Sequence, residues 1–179
     1  MINIVVPLAG EGTRFSSTGI KTPKPLIVVN GKTMIEHSVE TLGIKGQYIF
    51  ITKEYKNDAY NIELSSIIKR IQPDAIEIKV DKKQRGAADA VMYAEKYINN
   101  KDSLITINCD QILNWDPKEF LDHVKETNCD GSVVLFNAND PKHSYAEIVD
   151  NKIIKIVEKA GYSASLLVDA QSVALHSKK

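Results

Sequence analysis

The sequence predicts an α/β fold with a mostly parallel sheet flanked by helices. Three observations carry that expectation. Short apolar runs rich in β-branched residues recur along the chain, segments with helical apolar spacing separate them, and the first run ends at two closely spaced glycines. Strands alternating with helices give right-handed β-α-β crossovers and a sheet covered on both faces.

The first run, residues 4–9, contains Val5 and Val6, is too short for a helix and closes on glycine, as a buried parallel strand does. Runs at 48–52, 76–80, 104–108 and 132–136 read the same way. Between them, 34–42 carries Met34, Ile35, Val39 and Leu42 at helical spacing, and 58–71 places Ile62, Leu64, Ile67, Ile68 and Ile71 on one broad stripe. Segments 87–98 and 118–127 share that periodicity, with Pro117 suited to a first helical turn. Beyond Phe136, residues 146–149, a turn at Asp150-Asn151 and residues 153–157 read as a hairpin that makes the sheet mixed. Residues 160–179 are rich in Ala, Ser and Val without a clear period, and are left as a tail after one domain spanning 1–159.

The composition, 43% hydrophobic and 26% charged over 179 residues, excludes a disordered or collagen-like chain and supports one globular core. Lys plus Arg and Asp plus Glu both total 23, so no bulk charge favours nucleic acid or an anionic membrane, and any anion site is local. Cys109 and Cys129 lack C-x-x-C spacing and a nearby His pair, which argues for reduced thiols over zinc or a disulfide framework. No apolar run reaches the ~20 residues of a membrane span, and Met-Ile-Asn leads into the first strand without a basic n-region. A cytoplasmic protein is expected.

The strongest local signal is Leu8-Ala9-Gly10-Glu11-Gly12-Thr13-Arg14 at the carboxyl end of the first strand, where open α/β sheets place ligands. Glycines permit positive φ and let backbone N–H groups approach phosphate oxygens, and Arg14 adds a forked cationic donor. Phe15 stands where a dinucleotide fingerprint needs its third glycine, and no glycine lies five residues beyond Gly10 or Gly12, as a Walker loop requires. Pro23 and Pro25 block a helix directly after the glycines, so the chain is expected to run extended and carry Arg14, Lys21 and Lys24 back over the strand end. The bland alternative is a surface loop with solvated lysines.

The combination of Leu8-Ala9-Gly10-Glu11-Gly12-Thr13-Arg14, Pro23-Lys24-Pro25-Leu26, Gln84-Arg85-Gly86-Ala87-Ala88-Asp89-Ala90, Asn108-Cys109-Asp110 and Glu158-Lys159 resembles the nucleotidylyltransferases that make nucleotide-activated sugars and related compounds. The resemblance covers residues 4 to about 159. It implies a Rossmann-like, GT-A-like nucleotide-diphospho-sugar transferase fold. It also implies transfer of NMP from an NTP, most simply a pyrimidine one, to a phosphorylated acceptor such as a sugar 1-phosphate, with release of pyrophosphate.

On that resemblance Arg14 and Lys24 are the catalytic cations, and Leu8, Ala9, Gly10, Glu11, Gly12 and Thr13 bind the nucleotide with Gln84 and Gly86. A Gln side chain offers both a donor and acceptors to a base edge; the alternative is an ordinary loop-to-helix junction with Gly86 needed for the turn. Asp110 ends an apolar strand where a carboxylate needs a compensating partner, and Mg²⁺ takes one or two carboxylates together with substrate phosphates. Its alternative is a turn cap, while the D-x-D of glycosyltransferases is absent from Asn108-Cys109-Asp110. Tyr145, Glu147, Glu158 and Lys159 are the implied acceptor residues. The four histidines, His37, His123, His143 and His176, pair with no nucleophile, so triad chemistry has no support. Residues 161–179 do not resemble the strands with which relatives close the acceptor pocket, which leaves a non-catalytic nucleotide-binding module as the second reading and a GT-A glycosyltransferase as the third.

Overall fold

The computed structural model describes residues 1–10, 19–81, 84–137 and 144–157, and the backbone alone of 168–176. Strand β1 (Ile2–Pro7) lies between β4 (Gln47–Lys53) and β6 (Ser103–Thr106), paired in parallel with both, and β5 (Ile76–Val80) adds in parallel beyond β4. After β1 the chain moves outward through β4 to β5 and then returns to the other side of β1 as β6. The strand order therefore reverses between β1 and β6, the kind of point at which open α/β sheets form a crevice outside their strand ends.

Alternation along the central strands divides the core. Ile4, Val6, Leu8, Tyr48, Phe50, Ile105 and Ile107 pack on one face under α1 (Met34–Leu42), α2 (Asp58–Ile71) and α5 (Pro117–Thr127). Val5, Ala9, Ile49 and Ile51 pack on the other under α3 (Ala87–Met92) and α4 (Glu95–Ile98). Covering both faces is what lets β1 and β4 read as continuous apolar runs.

The expected helices 34–42 and 58–71 are found with those limits. The expected helix 87–98 is interrupted, because Tyr93 and Ala94 hydrogen-bond three residues back, to Ala90 and Val91, and the fully buried Ala94 turns tightly against the sheet. The first strand begins earlier than its apolar run. Asn3 is polar yet 4% exposed, and its amide donates to Asn100 Oδ1 at 3.4 Å. The stretch expected to run extended to Leu26 ends in a 3-10 turn, Lys24–Leu26, with Pro25 in its first turn. A small hairpin of β2 (Val28–Val29) and β3 (Lys32–Thr33) follows, turning on Asn30 and Gly31 in the left-handed region.

The antiparallel half of the sheet holds β7 (Gly131–Phe136), the hairpin of β8 (Tyr145–Val149) and β9 (Lys152–Val157), and β10 (Val168–His176). Asp150 and Asn151, both at positive φ, make the hairpin turn where the sequence predicts it. The segment left as a tail supplies β10, a strand within the sheet. Ala174 pairs with Thr106 of β6 and Val133 of β7, and Asp169 pairs with Phe136 of β7 and Tyr145 of β8. Strands β6 and β8 thus share one edge of β10, and the sheet divides between them.

Helix α1 is fixed at its start by a capping box. The Thr33 backbone N–H and hydroxyl both donate to Glu36 Oε2, at 2.8 and 2.6 Å, and Arg70 of α2 donates to Glu36 Oε1 at 2.7 Å. The Thr33 hydroxyl is the main cause that holds the Glu36 carboxyl down to about 2 from 4.5, with the Thr33 N–H and Arg70 assisting. A carboxyl depressed in the folded state stabilises above its unfolded pKa and loses that contribution as pH falls through the folded one. Glu36→Gln is expected to lower the urea midpoint at pH 7, with the difference from the parent shrinking between pH 4.5 and about 2. A constant difference across that window in denaturation curves would contradict the role.

Candidate active site

Two loops meet outside the reversal point. One leaves β1 and returns at Lys24; the other leaves β6 and carries Asp110. Lys24 Nζ lies 2.5 Å from Asp110 Oδ2, joining residues 86 positions apart. The side chains are 27% and 36% exposed, so the pair is open to solvent and to a ligand. The partner expected to offset the Asp110 charge is thus found in the chain itself, as the Lys24 ammonium, a pairing the sequence reading did not assign.

The Asp110 turn is short. The Gln111 N–H donates to the Asn108 carbonyl at 3.4 Å, which sets Cys109 and Asp110 at its centre. Cys109 points inward and is 5% exposed; burial pushes its thiol up to about 12, with nearby Asp110 adding to the rise and Lys24 opposing it. The thiol is therefore neutral at pH 7, and the turn presents a single negative charge, that of Asp110.

Among the described residues no group of three His, Cys, Asp or Glu side chains is placed to hold a metal ion. Asp110 nevertheless has the chemistry of a magnesium ligand. It is a hard oxygen donor, partly exposed, and among the described residues no hydrogen bond reaches its Oδ1. That fits an ion arriving with substrate phosphates rather than an all-protein cage.

Leu8 and Ala9 are buried, 3% and 2% exposed, and the Leu8 N–H continues the sheet by donating to Ile51 O at 2.7 Å. Gly10 is exposed and begins the loop. The left-handed glycines among the described residues are Gly19, Gly31 and Gly43, so Gly10 does not use the positive φ that glycine permits. Gly86 stands at the loop-to-helix junction, just ahead of α3, with φ 174 and ψ −177, an extended backbone that does not itself require glycine. A Cβ at Gly10 or Gly86 would meet nothing within 4 Å, so both leave open backbone.

Gln84 is half-buried just ahead of α3, where Arg85 closes the first turn by donating from its backbone N–H and guanidinium to Asp89 at 3.1 and 3.0 Å. A cavity of about 530 Å³ is lined by Pro7, Ala87, Ala88, Val91, Thr106 and Asn108, among others. It adjoins three of the expected segments, although neither Lys24 nor Asp110 lines it. Tyr145 begins β8 and is 2% exposed, and Glu147 is half-buried two residues on. Glu11, Gly12, Thr13, Arg14, Glu158 and Lys159 lie outside the described residues.

The nucleotidyl transferase family model matches residues 4–168. This chain belongs to that family. The match runs past the limit near 159 expected from sequence and reaches the first residue of β10. The chain is 30% identical over 161 residues to the bifunctional protein GlmU of Methanococcus vannielii, covering 88% of itself and 35% of that protein. It is 27% identical over 165 residues to the mannose-1-phosphate guanyltransferase of Aspergillus oryzae, covering 87% of itself and 44% of that protein. It therefore spans less than half the length of these curated relatives.

Among solved structures, a putative glucose-1-phosphate thymidylyltransferase from Bacillus anthracis, in complex with a sucrose, superposes with a TM-score of 0.80 at 20% identity, covering 99% of this chain and 72% of that one. A UDP-glucose pyrophosphorylase complexed with UDP-glucose gives 0.75 at 19%, covering 99% and 76%. At such identities the likeness is one of fold, the GT-A-like nucleotidyltransferase fold. No helix among the described residues is long and apolar enough to cross a membrane.

The contrast between the two thiols is directly measurable. With Ellman's reagent at pH 8, the half-buried Cys129 is expected to react in the native protein and Cys109 only after denaturant is added. Rapid release of both equivalents would show that the turn beneath Asp110 is open.

Proposed function

We propose that this chain catalyses nucleotidyl transfer. A phosphate oxygen of a phosphorylated acceptor, such as a sugar 1-phosphate, attacks the α-phosphorus of an NTP; the bond from the α-phosphorus to the bridging oxygen breaks, and pyrophosphate leaves with that electron pair. The observation that carries the reading is the contact of Lys24 with Asp110 at the mouth of the reversal point.

An acceptor phosphate monoester, with a second pKa near ~6, is already largely a dianion at neutral pH and needs no general base. The chain's task is to overcome repulsion between anions. Lys24 neutralises charge on the reacting phosphates, Arg14 is assigned to the leaving pyrophosphate and Lys159 to the acceptor. Asp110 would hold Mg²⁺, which supplies further charge neutralisation on the phosphate oxygens when bound. Leu8, Ala9, Gly10, Glu11, Gly12 and Thr13 form the nucleotide loop, while Gln84 and the open backbone at Gly86 meet the base. Tyr145, Glu147 and Glu158 complete the acceptor side. The pyrimidine is carried over from the resemblance alone, since the names of the relatives and neighbours include a guanyltransferase as well as a thymidylyltransferase and a UDP-glucose pyrophosphorylase.

A thermal-shift screen of ATP, CTP, GTP, UTP and dTTP identifies the base, because a ligand at 100 times its Kd adds about 2.7 kcal/mol. Pyrophosphate release with that NTP, Mg²⁺ and a panel of phosphorylated acceptors then tests turnover. Lys24→Ala is expected to lower kcat about 10²- to 10³-fold. Because the Lys24–Asp110 pair is partly exposed, the same change should cost no more than about 1 kcal/mol of stability. Unchanged turnover in Lys24→Ala removes Lys24 from the reaction, and nucleotide binding without turnover in the parent chain supports the non-catalytic binding module instead.

A further inference from the structure

We infer that Ser38 and Gln111 are positioning residues that hold Asp110 opposite Lys24 through the peptide groups of Asn108. The inference deepens the proposed nucleotidyl transfer and rests on it.

The turn that carries Asp110 is gripped two residues upstream. The Asn108 N–H donates to Gln111 Oε1 at 2.9 Å, and the Asn108 carbonyl accepts from the Ser38 hydroxyl at 2.7 Å. One step earlier, the Ile107 N–H donates to Val5 O at 3.1 Å, which ties the strand exit to β1. Ser38 is 0% exposed and Gln111 5%, so each holds its partner away from competing water. Buried polar groups of this kind persist because they are satisfied, and removing the Ser38 hydroxyl or the Gln111 amide takes away the short bond that fixes the Asn108 peptide group on that side.

The position of Ser38 on α1 gives these contacts a purpose beyond filling the core. Helix α1 also holds the other side of the site, since the Met34 N–H at its start donates to the Ile27 carbonyl at 2.9 Å, directly after the 3-10 turn that contains Lys24. Three residues beyond Ser38, on the same helical face, the Thr41 hydroxyl accepts from the Leu113 N–H at 3.1 Å. The Trp115 indole N–H donates to the Thr41 carbonyl at 2.9 Å. One rigid helix therefore anchors both the Lys24 turn and the Asp110 segment, and Ser38 is its nearest direct bond to the latter.

Water-proton relaxation of Mn²⁺, titrated into the 179-residue chain with an equimolar mixture of ATP, CTP, GTP, UTP and dTTP, reads metal bound in the protein–nucleotide complex without requiring turnover. Asp110→Asn is expected to abolish the enhancement. Ser38→Ala and Gln111→Met should each weaken the apparent Mn²⁺ affinity about 10-fold or more, the size typical of lost support behind a metal ligand. Their double variant should fall short of the sum, because both act on one residue's peptide groups. Ser38→Cys keeps most of the volume without a strong donor and should match Ser38→Ala, which covers a failure of the alanine variant to fold. Ile67→Val, a core change on α2, is expected to lower Tm while leaving the Mn²⁺ affinity unchanged.

If Asp110→Asn loses the enhancement while Ser38→Ala, Ser38→Cys and Gln111→Met keep parental affinity, the positioning role is overturned and the proposed reaction stands. Fully additive effects in the double variant overturn the shared route through Asn108. If Asp110→Asn behaves as the parent, both the positioning role and the metal site assigned to Asp110 fall.

Discussion

The parallel pairing of β1 with both neighbours is the constraint from which the site follows. Parallel strands send their carboxyl ends the same way, so the loops after β1 and β6 leave side by side at the reversal of strand order. Lys24 and Asp110 can meet across 86 positions because that geometry is fixed by buried strands, with Ile4, Val5, Val6 and Ile105 all 0% exposed. An ion pair as exposed as this one is worth about 0–1 kcal/mol and could not organise the loops itself. The two apolar cores set the loops, and the charges take the places the loops provide.

Helix α1 converts that coarse placement into a finer one. Its start is specified locally, by Thr33 and Glu36, and its buried face carries Ile35, Val39 and Leu42 into the core together with Ser38. Ser38 is an unusual choice for a fully buried helical position, where an alanine would pack with less polar cost. Its hydroxyl is accounted for by the Asn108 carbonyl. Cys109 completes the logic from below. Its buried, neutral thiol fills space beneath the turn without adding a second negative charge beside Asp110.

Much of this was legible in sequence because the informative signals are local. Helices 34–42 and 58–71 and strand 76–80 have apolar periodicity strong enough that their limits are those found, although Ile62, expected on the stripe of the second helix, is 71% exposed because it falls on the opposite side from Ile67 and Ile71. The return of Lys24 over the strand end was expected from Pro23 and Pro25, which block a helix directly after the glycines; the carboxylate it meets there was not. What stayed hidden was non-local or irregular. The Lys24–Asp110 pair and the Ser38–Asn108 bond, 70 positions apart, leave no periodic trace. Strand β10 shifts register between Ala170 and Ala174 against β7, and a shift within a strand destroys the two-residue alternation by which strands are read. Asp169 and Gln171 further disguise as tail a segment that pairs with three strands.

The charge balance of the whole molecule shows why the pairing of Lys24 with Asp110 suits the proposed chemistry. With 23 basic and 23 acidic residues, the protein offers polyanionic substrates no general attraction, so binding depends on a few cations held at one place. An ammonium left alone at a strand end would be mobile, and a lone carboxylate there would repel phosphate. Paired, they neutralise one another in the absence of the proposed triphosphate and metal ion. In the proposed reaction each would exchange its partner for one of the same sign, Lys24 turning from carboxylate to phosphate and Asp110, as the residue that would hold the metal, from ammonium to cation. Because a pair this exposed contributes about 1 kcal/mol at most, separating it subtracts little from substrate binding, and the positions of both groups are retained by the strands and by α1.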